Sequence, residues 1–232
     1  MAIRPIYIPD LSSGSPGVLA KNIEFKWFPG MSKSQKQRSI SSLHEEASKL
    51  NISPVLEISS KSYTGLGVEL SAFNLMITTR KRLRSFSVEM AFQSSKVFEK
   101  GGPYTDLLEG TSLQAKKDVR LKESGSLIKF RFFSTDFPLE PKTLFYDWLY
   151  INALDKNRGL SDQVVSYRGF TDIEFNPNKS INCQAYSAAL YVSLSYCKAI
   201  PKALESPESF IKVLEREYTN RDRSLVMQST LL

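Results

Sequence analysis

Apolar and polar positions alternate through the first thirty residues, in Ile6-Tyr7-Ile8 and again in Ile23-Glu24-Phe25-Lys26-Trp27-Phe28. Gly14-Ser15-Pro16-Gly17 separates the two runs and Pro29-Gly30 closes the second. Alternation with such punctuation predicts strands joined by turns, a short N-terminal β arm or hairpin. From Met31 to Leu50 the period lengthens, and Ile40, Leu43 and Ala47 mark an amphipathic helix with His44 on or near its exposed side. Val55-Leu56-Glu57-Ile58-Ser59 predicts a strand and Gly65-Leu66-Gly67 a turn. Phe86 to Phe98 is predicted as one helix, stopped by Gly101-Gly102-Pro103. Two further helices follow at Tyr104 to Leu108 and Leu113 to Leu121, then a strand or buried connection from Leu127 to Phe133.

The run Leu144 to Leu154 is apolar nearly all round, the mark of a buried helix with its aromatics in the core, and Ala185 to Ala199 reads the same way. Ser206-Pro207 opens a last helix whose inner face is Phe210, Val213, Leu214 and Tyr218. Between the buried helices, Tyr167 to Gln184 is polar and aperiodic, which predicts a loop. The expected fold class is therefore α+β, mainly α. Residues 1–50 form a β arm and helix packed on a main domain at residues 51–232.

Composition narrows the function. A chain of 232 residues with 41% hydrophobic and 24% charged residues reads as soluble and globular, without an apolar stretch of the roughly 20 residues that span a bilayer. Met1-Ala2-Ile3-Arg4-Pro5 lacks the apolar core of a signal peptide, so a cytoplasmic protein with no membrane partner is expected. Cys183 and Cys197 read as reduced thiols, and with His44 the one histidine, no metal and no cofactor are expected. A formal charge of +7 favours a polyanionic partner, and Thr79-Arg80-Lys81-Arg82-Leu83-Arg84 concentrates four positive charges just before the predicted Phe86 helix.

In that helix Glu89, Gln93 and Lys96 stand four and three residues apart, on one face and about one turn from each other. A carboxylate, an amide and an amine along one stripe can grip a sugar and act at its anomeric carbon. Glu and Lys at such spacing also form solvated faces whose pairing contributes only ~0.2–0.5 kcal/mol, so the stripe gains meaning only with other segments. The loop Tyr167 to Gln184 is one of these. It gathers Asp172, Glu174, Asn176, Asn178, Lys179, Asn182 and Gln184 between apolar elements, where a plain connector needs no such variety.

In order along the chain, the segments Ser71-Ala72-Phe73-Asn74-Leu75, Glu89 with Phe92, Gln93 and Lys96, Gln114-Ala115-Lys116-Lys117, and Tyr167 and Gly169 with Asp172 and Asn182 resemble the NADAR family of ADP-ribosyl glycohydrolases. The family motif reads roughly Glu-His-x-Phe-Gln-x-x-Lys, and Met90 here replaces the His. Trp27-Phe28-Pro29-Gly30-Met31-Ser32, Gln35-Lys36 and Gly169-Phe170-Thr171-Asp172-Ile173-Glu174-Phe175 are similar to the subgroup encoded beside DarT-type DNA ADP-ribosyltransferase toxins.

The resemblance implies a YbiA-like NADAR fold and removal of ADP-ribose from guanine bases in DNA, with RNA a possible substrate, as the antitoxin to a DarT-type toxin. It implies hydrolysis of the N-glycosidic bond between the ribose anomeric carbon and the exocyclic guanine nitrogen. Glu89 matches the key glutamate, which would stabilise oxocarbenium character or activate water. Lys96 matches the family lysine, to neutralise phosphate or to attack an opened ribose as a Schiff-base nucleophile. Asp172 matches the loop acid, with Glu174 two residues on as the alternative. Gln93 and Asn74 suit ribose or base edges, Asn182 and Lys179 the pyrophosphate, and Phe92 either core packing or stacking. Ser71, Tyr167 and Gly169 complete the substrate-binding set. Where relatives carry an Asn-Trp pair this chain reads Phe130-Arg131-Phe132-Phe133, so Phe132 or Phe133 is expected to supply the missing ring. A rival reading is an antitoxin without turnover, or an ADP-ribose reader, that binds the toxin or the modified nucleic acid.

Overall fold

A computed structural model describes residues 1–79, 83–177 and 180–221. Arg80, Lys81 and Arg82 of the basic segment, and Lys179 of the polar loop, lie outside the described residues.

The chain opens with β1 (Ala2–Pro9) and β2 (Val18–Phe25), an antiparallel hairpin in full register from Ala2 opposite Phe25 to Pro9 opposite Val18. Helix α1 (Lys33–Lys49) follows, capped by Ser32, whose hydroxyl accepts from the Gln35 amide at 3.3 Å. It buries Ile40, Leu43 and Ala47, the face its periodicity marks. His44 departs from expectation: it is only partly exposed, and its Nε2 lies 2.9 Å from Thr171 Oγ1. Next come β3 (Val55–Glu57) and α2 (Gly65–Glu69), so Gly65-Leu66-Gly67 is helical rather than a turn, with Thr64 as its cap.

β4 (Met76–Thr78) and β5 (Ser85–Ser87) form a short hairpin that runs directly into α3 (Val88–Ser94). The predicted helix over Phe86 to Phe98 is thus cut at both ends, and Lys96 falls in β6 (Lys96–Phe98). A 3₁₀ turn at Thr105–Glu109 precedes α4 (Ser112–Lys117) and α5 (Arg120–Glu123), which divide the predicted Leu113 to Leu121 helix at Asp118. β7 (Leu127–Phe132) and β8 (Thr135–Phe137) then pair beside β6 in the order β6-β7-β8.

Helix α6 (Leu144–Lys156) is buried on nearly every side, as its composition requires, and α7 (Arg158–Val164) follows it. After β9 (Gly169–Thr171) come α8 (Gln184–Tyr196), α9 (Ile200–Ala203) and α10 (Pro207–Val213). The fold class is α+β.

By packing, the chain forms two compact units. One takes residues 1–56, 165–171 and 185 onward, the other 57–164 and 172–184. In the first, the sheet runs β2-β1-β9-β3, with Ile6, Phe25 and Phe170 fully buried in its core. The hairpin supplies two of these four strands. Its turn is tied to α8 by Ser193, whose hydroxyl donates to the Asp10 carbonyl at 2.6 Å and accepts from Gly17 N at 3.0 Å. In the second unit an aromatic cluster forms the core. Phe145 of α6 stacks on Phe130 of β7 at 4.7 Å between ring centres and lies 6.0 Å from Phe92 of α3. The Tyr150 hydroxyl spends its proton on the Leu70 carbonyl at 2.8 Å. No helix among the described residues is long and apolar enough to cross a membrane.

Candidate active site

Serines stand at both ends of helix α3. Ser87 caps it by accepting from Met90 N at 3.1 Å, and the Ser94 and Ser95 hydroxyls both donate back to the Ala91 carbonyl, at 3.0 and 2.7 Å. Back-bonding of this kind weakens a helix locally, and α3 stops at this point. Its first-turn amides, which no helix can satisfy internally, are taken by the preceding segment: Val88 N donates to Leu75 O at 2.9 Å and Glu89 N to Ala72 O at 2.8 Å. These bonds fix Glu89 beside Ser71 to Asn74.

The stripe read from the sequence survives in altered form. Gln93 Nε2 donates to Glu89 Oε1 at 2.9 Å, one helical turn apart, and both residues are buried. Lys96 has left the helix, yet it returns to the same place because Lys96 pairs with Phe130 across the β6–β7 ladder. Its ammonium lies 5.0 Å from the centre of the Phe92 ring. Gly102 makes this possible. Its φ of +86° suits glycine alone, and a Cβ there would meet the Lys96 carbonyl oxygen at 2.2 Å.

Glu89, Gln93 and Lys96 line a cavity of about 1310 Å³ that also takes in Ser71, Asn74, Phe92, Asp172, Glu174 and Asn182. Nine of the twelve site residues expected from the sequence therefore meet in one hollow of the second unit. Tyr167 and Gly169 do not line it. Both belong to the first unit, where Gly169 sits in β9 and a Cβ would strike Ile52 Cγ2 at 2.9 Å, a packing reason for glycine. Phe132 and Phe133 do not replace the missing Trp either; Phe130 is the β7 ring on this cavity, and the other two line a separate one.

Ser71 and Asn74 shape the wall by bonding to backbone, Ser71 Oγ to Val68 O at 2.8 Å and Asn74 Nδ2 to the same oxygen at 2.9 Å. Phe92 both packs and lines: its ring contacts Phe130, Phe145 and Tyr146 while forming part of the cavity surface. Gln93 Oε1 and Asn182 Oδ1 are buried acceptors without a hydrogen-bond partner among the described residues. Such atoms cost free energy in an empty site, about 1–3 kcal/mol each, and a polar ligand relieves them.

Two carboxylates, one at a strand end and one in the following loop, influence each other because their strands are neighbours. Glu57 ends β3 and Asp172 directly follows β9. Glu57 Oε1 accepts from Ile173 N at 2.9 Å, while Asp172 Oδ1 accepts from Glu174 N at 3.0 Å and Phe175 N at 3.1 Å. Burial and the Glu57 charge push the Asp172 carboxyl up to about 8, against the opposing pull of those amides and Gln184. Gln184 is a brace, with Oε1 accepting from Ala72 N and Nε2 donating to Ile58 O, each at 2.7 Å. Burial likewise pulls the Lys96 ammonium below the ordinary lysine range, with Glu89 opposing and Lys116 adding to the shift.

Two residues enter the site that were given no role from sequence. Lys116 of α4 reaches Glu89 Oε1 at 3.9 Å and sits 5.0 Å from the Phe73 ring. It stood in the quoted Gln114-Ala115-Lys116-Lys117 run, so the signal was present. Tyr146 of α6 lines the cavity, and burial raises its phenol well above the usual range. The only hint was chemical, since a Tyr in an all-apolar helix needs a partner for its hydroxyl. Among the described residues no group of His, Cys, Asp or Glu is placed to hold a metal ion.

This α+β unit gathers a buried glutamate, a partly desolvated lysine and a loop acid of raised pKa around one large cavity, of the size that takes a small molecule or nucleotide. Residues 2–224 match the family described as the DarT1-associated NADAR antitoxin, and the chain belongs to that family. No curated protein matches it.

Proposed function

We propose that this antitoxin is an ADP-ribosyl glycohydrolase that removes ADP-ribose from guanine in DNA modified by a DarT-type toxin. The observation that carries the reading is Glu89 itself, a buried carboxylate oriented by Gln93 and flanked by Lys96 and Lys116 in a cavity larger than most small-ligand pockets.

In the proposed reaction the bond from the ribose anomeric carbon to the guanine exocyclic nitrogen breaks, and one water supplies the new anomeric hydroxyl. Glu89 stabilises positive charge on the ribose ring and takes a proton from the water. Asp172, protonated at neutral pH, returns a proton to the departing guanine nitrogen. Lys116, half exposed at the rim, and the positive charge of the chain hold the pyrophosphate and the DNA backbone. Gln93 Oε1 and Asn182 Oδ1 accept from ribose hydroxyls, and the Tyr146 hydroxyl donates to a ribose or phosphate oxygen. In the covalent variant the Lys96 amine attacks the anomeric carbon of the opened ribose and expels guanine; water then hydrolyses the resulting Schiff base and frees Lys96. The lowered pKa of Lys96 supports that route.

Incubation with an oligonucleotide carrying ADP-ribosylated guanine tests the proposal. Mass measurement should find free ADP-ribose and the unmodified strand. Stable capture of the toxin or of the modified strand without release would instead establish an antitoxin that acts by binding alone.

A further inference from the structure

The second unit holds another cavity, of about 920 Å³, walled by Phe86, Phe132, Phe133 and Trp148, with Asn152 and Arg84 also on its lining. The β7–β8 hairpin closes through a two-residue turn, since Phe132 pairs with Thr135. Such turns demand positive φ and favour Asn or Gly. Phe133 occupies this one at φ +52° and remains 62% exposed. A phenyl ring is thus held in a strained backbone position without being buried, 4.5 Å from the Phe132 ring centre.

A polar group is also unspent. Trp148 Nε1 is a buried donor with no partner among the described residues, and Asn152 lines the same cavity. Flat rings beside an amide that offers both donor and acceptor match a nucleobase, with a stackable face and a hydrogen-bonding edge. Arg84 adds positive charge for phosphate, although Glu109 shares it.

The place of this cavity decides which base it takes. Phe130 lines the Glu89 cavity and Phe132 lines this one, and as alternate residues of β7 they share a face, about 7 Å apart. Both rings contact Phe145, at 4.7 and 6.2 Å between centres. We propose that the second cavity is a nucleobase subsite that stacks an unpaired base of the DNA strand near the modified guanine. This rests on the glycohydrolase reading for its substrate.

The test is fluorescence anisotropy with labelled, unmodified single-stranded DNA, on the wild type and on Phe133→Gly and Trp148→Phe, beside ADP-ribose affinity and thermal midpoint. Glycine relieves the left-handed backbone, so Phe133→Gly should fold with an unchanged or higher midpoint, bind ADP-ribose normally and lose about tenfold in strand affinity. Trp148→Phe keeps the ring and removes the donor, and should alter the preference among homopolymer strands. Unchanged strand affinity and preference in both variants would overturn the subsite, as would a wild type that binds no single strand. Competition by free mononucleotides at strand-like affinity would overturn the strand assignment. Loss of strand binding in Phe133→Gly from a protein that releases no ADP-ribose would support the subsite and sink the glycohydrolase.

Discussion

Gln93 holds Glu89 by a 2.9 Å bond from Nε2 to Oε1, and its own Oε1 is a buried acceptor with no hydrogen-bond partner among the described residues. Glu89→Gln keeps an acceptor for Gln93 and removes the negative charge. The variant should fold with a thermal midpoint close to wild type and lose at least about a hundredfold in ADP-ribose release, the scale of one lost acid–base or charge-stabilising group. Retained activity would remove Glu89 from the reaction.

Lys96 gives a covalent test. With borohydride and modified oligonucleotide, an ADP-ribose adduct should form on Lys96 and be absent in Lys96→Arg, whose guanidinium stays charged. Because burial lowers its pKa, trapping should rise with pH and level off below the ordinary lysine midpoint. Peptide mapping locates the adduct.

Asp172 should show itself in two pH profiles. Its folded pKa is raised, so its contribution to stability is fully present below the unfolded value near 3.8 and is lost as pH rises through about 8. Wild type should lose thermal stability across that window relative to Asp172→Asn, which keeps the acceptor for Glu174 N and Phe175 N. Activity should fall over the same limb as the acid ionises, and the asparagine variant should be slow at every pH.

His44 works in the opposite direction. Enclosure by α1 and β9 lowers its pKa to about 4, so the stability tied to its neutral form is present above 6.5 and is lost as pH falls through 4. The loss amounts to at most about 3 kcal/mol. His44→Gln should flatten the acid limb of a denaturation series between pH 6.5 and 4.

Periodicity reported the elements whose neighbours lie all along one face or all around. The inner face of α1 and the wholly buried α6 follow from Ile40, Leu43 and Ala47 and from the Leu144 to Leu154 run. The helix around Glu89 stops short of the predicted Phe98 because Lys96 to Phe98 pairs with β7 as a strand, with the Ser94 and Ser95 hydroxyls bonded back to Ala91 at the junction, and apolar spacing records neither. His44 was misplaced for a related reason. Its polarity suggested solvent, while a Thr171 hydroxyl from far along the chain supplies its partner. The ordered motifs brought Glu89, Asp172 and Asn182 to one cavity, but they gave no sign that Tyr167 and Gly169 belong to the other unit, or that Tyr146 opens onto the ligand space.

The early stop of α3 sets a rule for how this protein can diverge. Between Gln93 and Lys96 the backbone passes from a turn of 3.6 residues to a repeat of two. One residue inserted or deleted there would send the lysine to the opposite side of β6, whatever residue it was. Substitutions at Ser94 and Ser95 can be repaired by other helix breakers, but a change in length cannot. On the proposed reaction, lineages that keep turnover must therefore keep the count, and a variant with one residue inserted at this junction should release no ADP-ribose from the modified oligonucleotide.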